Sequence, residues 1–161
     1  MSSTTLDAGT ATGKIEAQRK LFNEGHNALM ATFDATPEDK LNWKPSELSR
    51  SALQIAAHVA ATNHFFLLAF QGRPPATELP EIFQWIGKKA EDWTTRDQVV
   101  AQLNSTRADL DRVFDNFTPE MLENEDAALA LRVSAIHGYM HKSQLDFLQT
   151  CWGDFNMYFG N

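Results

Sequence analysis

Apolar residues recur at helical spacing in four long runs. In the first, roughly residues 14–34, Ile15, Phe22, His26, Leu29 and Phe33 make one face. The second opens at Ser51, where Gln54 three residues on completes a capping-box pattern, and continues to about Phe70 with Ile55, His58, Thr62, Phe65 and Ala69 on one stripe. Gly72-Arg73-Pro74-Pro75 ends it, because glycine suits the position after a helix and proline cannot continue the hydrogen-bond ladder. Thr95 and Gln98 open the third run, which carries Val99, Leu103, Thr106, Leu110, Val113 and Phe117. The fourth, Leu131 to Trp152, places Ser134, His137, His141, Gln144, Leu145 and Leu148 on one side. No stretch alternates with period two for long enough to argue for a strand. The expected fold is all-α, a four-helix bundle of antiparallel type.

The joints add detail. Thr36-Pro37-Glu38 and Thr118-Pro119-Glu120 each read as a capped helical turn with proline at its start and acid after it. The echo between them fits an old helix-pair duplication, or two uses of one good cap, and the second reading is preferred. Residues 72–94 form a long connection between helices 2 and 3 that holds Phe83, Trp85, Ile86 and Trp93, and so is expected to pack over the bundle as a loop, wall or lid. Residues 1–13 are too polar to fold alone and are expected to form a flexible tail before a single domain over 14–161. The aromatic stretch from Trp152 to Phe159 is expected to fold back onto the bundle.

Composition narrows the classes. A chain of 161 residues fits one core. Its one cysteine, Cys151, can form no internal disulfide and is expected as a buried helix-end thiol. The N-terminus lacks a basic start and an apolar core, and no run is expected to reach the length of a membrane span, so a soluble cytoplasmic protein with no membrane partner is the default. Net charge is −7, without a basic patch to track phosphates, which argues against nucleic acid.

Candidate chemistry centres on His137 and His141, four residues apart and therefore on one helix face. His58 on the second run is the best third donor. Three imidazoles suit a divalent transition metal, zinc or nickel before iron or copper, while a site poor in carboxylates disfavours magnesium and calcium. Three protein ligands leave a position open, as catalytic zinc sites do, and the metal can then activate water or a thiol. The spacing alone also fits two ordinary interior histidines, and His58 alone fits a packed core residue. Gly138 follows His137, so the glutamate of a His-Glu-x-x-His zinc protease is absent. Gln144, one turn beyond His141, is the candidate contact to a bound ligand or to a histidine N–H. His26 is a further inward histidine for which core packing is preferred over ligation. His64 belongs on another face, and Tyr139 and Asp146 lie off the histidine stripe.

Taken together, Trp43-Lys44-Pro45 before the second run, the inward His58, and His137-x-x-x-His141-Lys142-Ser143-Gln144 on the last run resemble the DinB-like superfamily of metal-dependent four-helix-bundle proteins. The resemblance covers about residues 14–153. It implies a metal held by three histidines, here His58, His137 and His141, and departs in having Lys142-Ser143-Gln144 where the family often has Arg-Gly-Gln. Some similar bundles are transferases or isomerases that use a low-molecular-weight thiol; joined to the metal argument above, this makes the expectation here an enzyme with a small-molecule substrate, of the transferase or hydrolase kind, that activates such a thiol or water. The alternative is a non-catalytic, stress-related helical module. Either version can form a homodimer through a helix pair. No catalytic residue is singled out beyond the ligands.

Overall fold

The computed structural model describes residues 9–160. It contains five α-helices, α1 Ala11–Asp34, α2 Ala52–Phe70, α3 Leu79–Ala90, α4 Arg96–Asn116 and α5 Glu125–Cys151, with short 3-10 turns at Glu38–Lys40 and Pro119–Glu123. The described residues contain no strand. Helices α1, α2, α4 and α5 are the four long runs, and the all-α bundle stands.

Local chemistry sets the boundaries. Thr10 Oγ1 accepts the Gly13 N–H at 3.0 Å and caps α1, which starts three residues earlier than the polar composition suggested. The rest of the expected tail, residues 1–8, lies outside the described residues. The capping boxes Ser51/Gln54 and Thr95/Gln98 both form. At the end of α2, Gly72 adopts φ 72°, its N–H reaches Ala69 O at 3.0 Å, and the Arg73 N–H reaches Leu68 O at 3.0 Å. This paired closure needs a left-handed residue, which glycine supplies without steric cost. Both Thr-Pro-Glu segments open 3-10 turns. Thr36 does not cap the first, since its hydroxyl donates back to Thr32 O at 3.1 Å.

The expected long loop between the second and third runs is corrected. Its centre is α3, twelve residues with Pro80 in the first turn, Glu81 near the N-terminus and Lys88 and Lys89 near the C-terminus, each sign matched to the helix dipole. Ile82, Trp85 and Ile86 form its inner stripe against α2, while Phe83 points outward at 62% exposure. α5 also starts earlier than read, at Glu125, with Asn124 Oδ1 accepting the Ala127 N–H at 3.0 Å.

α1 packs most extensively on α5, α2 on α4, and α5 also faces α2, while α3 rests on the outside of α2. Two apolar clusters fill the interior. One holds Leu29, Phe33, Leu53, Val99, Leu103, Leu145 and Leu148, and the other Phe22, Phe65, Phe66, Leu110, Phe114 and Leu131. Burying each such side chain is worth roughly 1.5–3 kcal/mol. α2 is long and apolar enough to cross a membrane by length and composition, with mean hydropathy 1.3, contrary to the expectation that no run would be. It is also the helix packed by all four others, and 56% of that window is buried, so burial against the bundle accounts for its apolar character.

One close approach sets the spacing of α1 and α5. A Cβ on Gly138 would lie 2.8 Å from the Gly25 carbonyl carbon, so only glycine lets the backbones meet there. After α5, the chain turns at Trp152, whose ring meets Trp43 edge-on at 5.8 Å. It then runs back along α1, where Thr32 Oγ1 donates to Tyr158 O at 3.3 Å. The aromatic tail does return to the bundle.

Candidate metal centre

The junction of the two apolar clusters is where the histidines meet. α2 contributes Ala57 and Val59 to one cluster and Ala61 and Phe65 to the other, so His58 sits near the changeover. On α5 the changeover falls between Ala135 and Leu145, which brackets His137 and His141. Antiparallel packing of α2 on α5 therefore puts one imidazole opposite two.

The three rings form a compact group. Centroid separations are 4.4 Å for His137–His141, 4.7 Å for His58–His141 and 5.4 Å for His58–His137. One donor atom from each lies within 4.8 Å of the others, and no carboxylate or thiol joins them among the described residues. His137 Nε2 and His141 Nε2 are 3.0 Å apart. Three imidazole nitrogens held at about 2.0–2.1 Å from one ion would stand roughly 3–3.5 Å from one another.

Hydrogen bonding orients the donors. His141 Nδ1 donates to Gln144 Oε1 at 2.8 Å, which leaves the lone pair of Nε2 directed at the group. His137 Nδ1 is buried without a hydrogen-bond partner. Burial pushes all three imidazoles toward the neutral form, His58 down to about 3 and His137 further, with repulsion from neighbouring imidazoles and from Arg50 adding to the effect. His141 is lowered by burial and by Arg50, against the opposing hydrogen bond it donates to Gln144. Neutral imidazole is the ligand form, so the donor set suits a divalent transition ion.

The group opens to solvent. His58 lines a cleft of about 480 Å³ together with Lys44, Arg50, Trp93 and, from α3, Gly87 and Ala90. The expected wall over the bundle is thus built from a helix and the turn after it. Gln144 and Ser143 line a second cleft of about 430 Å³, and Arg50 and Ser49 border both clefts.

The remaining candidates lie elsewhere. His26 is buried beside Asn104 and Arg107 of α4, with burial pushing it down to about 4. His64 is half-buried with its ring 5.8 Å from Trp85. Tyr139 packs over Gly25, and Asp146 accepts an ion pair from the buried Lys142 at 2.7 Å. Lys142 also stands 4.6 Å over the Phe159 ring, so this position of the family motif ties down the C-terminal segment. Cys151 is exposed, which corrects the expectation of a buried thiol, because it stands on the outer side of the last turn of α5, whose inner side buries Leu148 and Gln149. Arg50 was not among the sequence candidates. The signal available for it was its position one residue before the Ser51 cap and two turns ahead of His58.

The fold and this cluster define a helical bundle with a three-histidine candidate metal centre. The chain belongs to the DinB superfamily, whose family profile matches residues 21–145, from within α1 to beyond His141. No curated protein and no solved structure matches it significantly.

Proposed function

We propose that this protein is a divalent-metal-dependent enzyme acting on a small molecule, an S-transferase using a low-molecular-weight thiol or a hydrolase using water, with zinc or nickel as the first candidates for the metal. The observation that carries this reading is the convergence of three neutral, partly buried imidazoles, without a carboxylate, beside an open cleft. When bound, such an ion supplies a Lewis acid that favours the thiolate or hydroxide form of a thiol or water. His58, His137 and His141 would hold it, and Gln144 keeps His141 in the ligating tautomer. Apolar packing on both sides of the cluster keeps the imidazoles neutral and limits the approach of water to the cleft side. Gln144 also faces the second cleft, where its amide can contact a bound ligand.

The test is a thiol-dependent transfer assay on protein loaded with zinc or nickel, using an electrophile such as 1-chloro-2,4-dinitrobenzene. The reading expects turnover with loaded protein and none after chelation or in His141→Ala. Turnover that is unchanged by chelation would contradict it.

A second reading, a non-catalytic dimerising module, is favoured by the outer face of α5. Leu129, Val133, Ile136, Met140, Ser143 and Phe147 follow one another in alternating steps of four and three, the spacing of a helix-pairing seam. Leu129, Ile136, Met140 and Phe147 are 41–62% exposed. A second copy of the chain is the expected occupant. Sedimentation of the parent beside a Met140→Glu/Phe147→Glu variant checks this, with a dimer that becomes monomeric as the supporting result and a monomeric parent as the contrary one.

A further inference from the structure

Most cations on this protein have an assigned partner. Arg19 binds Asp111 and Asp115, Arg96 meets Glu38 and the end of α1, Arg112 binds Asp109, Lys89 binds Asp92 and Lys142 binds Asp146. Arg50 differs. Among the described residues its guanidinium makes no ion pair and no side-chain hydrogen bond, although Glu47 and Glu91 line the same cleft. It borders the cleft that His58 lines and also the second cleft, which Gln144 lines. It also lies close enough for its charge to act on His58, His137 and His141 alike. Lys44, in the same cleft, is likewise without an ion pair.

Arg50 is exposed, so its unpaired guanidinium, beside a cluster of neutral donors, is available to an anion arriving from solution. Its planar fork matches a carboxylate, which can accept two parallel N–H bonds. Glu47 and Glu91 limit the charge the cleft accepts, since a dianion would meet two carboxylates while a monoanion can be held on the Arg50 side. We propose that Arg50 is a specificity residue that anchors the carboxylate of a singly charged small-molecule ligand whose other end reaches the three histidines. The preferred substrate or thiol is then a carboxylate-bearing one. This rests on the metal-dependent reading above, and deepens it by naming a ligand class and the group that selects it.

The test uses cobalt(II) in place of zinc and reads binding from the visible and near-ultraviolet spectrum, not from turnover. Protein loaded with cobalt is titrated with 4-mercaptobutyrate and, separately, with the neutral 4-mercaptobutan-1-ol, whose chain has the same length. The parent should bind the carboxylate thiol about tenfold more tightly, the scale of one charge-assisted pair at a partly exposed site, and the preference should shrink as salt is raised. Arg50→Gln should bring the two affinities together without changing the cobalt spectrum, and Arg50→Lys should keep part of the preference. Glu47→Gln should keep it in full or widen it. Preservation of the cobalt spectrum in each variant shows that the fold and the histidine cluster are intact. Equal affinities in the parent, or a preference that survives Arg50→Gln, would overturn the anchor while leaving the metal reading in place. Failure of the parent to give a cobalt spectrum would overturn both.

Discussion

Two buried histidine environments lie within one bundle. His26 on α1 and the trio on α2 and α5 are all pushed toward the neutral form by burial. His26 packs beside Asn104 and Arg107 of α4, away from the other histidines. His137 and His141 face each other at 3.0 Å, His58 completes the group, and His137 Nδ1 has no partner. Burial and a lowered pKa are therefore shared by a structural histidine and by candidate ligands. Convergence separates them.

The sharpest way to break the contrast is to remove one histidine from each environment. His141→Ala should reduce zinc affinity by more than a hundredfold in competition with a chromophoric chelator, because two imidazoles do not make a tight site. His26→Ala should leave the affinity unchanged. Equal losses would erase the distinction.

Next in size is the backbone contact beside the trio. Gly138→Ala places a methyl group against the Gly25 backbone at 2.8 Å, where no side chain can move aside. A loss of about 3 kcal/mol in urea unfolding is expected. Gly87→Ala, which meets nothing within 4 Å, should cost far less and serves as the control.

The pH dependence of stability sharpens the His26 side. Its folded pKa of about 4 lies below the ordinary 6.5, so the unfolded chain binds the proton more readily. Stability from this residue is full above pH 6.5 and falls as pH drops toward 4. Between pH 7 and 5 the share of the loss due to His26 is on the order of 2 kcal/mol, and His26→Gln should lack that share of the slope. An identical slope in the variant would show that His26 is not held neutral.

The smallest effect belongs to the orientation of His141. Gln144→Leu removes the acceptor 2.8 Å from Nδ1 and should weaken zinc binding about tenfold without abolishing it. Gln144→Glu should restore or strengthen it.

Much of this was legible from spacing. The four long amphipathic runs, the capping boxes at Ser51 and Thr95 and the closure at Gly72 are local rules, and each is visible in a window of a few residues. The trio was legible because i, i+4 spacing fixes two donors on a face and helix periodicity turns His58 inward. α3 was missed because its buried stripe is narrow and Phe83, on the opposite side, disguises it, while the prolines around it read as loop. Gly138 looked like a missing glutamate. Its role depends on Gly25, more than a hundred residues away, and no local pattern links the two. Arg50 was invisible for the same reason, since its significance comes from the ion pair it lacks and from two clefts that only the packed helices create.

The central claim is that His58, His137 and His141 hold one ion. It is tested most directly by the metal content of protein purified without an affinity tag or chelator, measured by mass spectrometry beside His58→Ala and His137→Ala. The account predicts near one equivalent of metal per chain in the parent and its loss in both variants. A parent with no metal, and none taken up when zinc, nickel, iron and copper are supplied in turn, would contradict it.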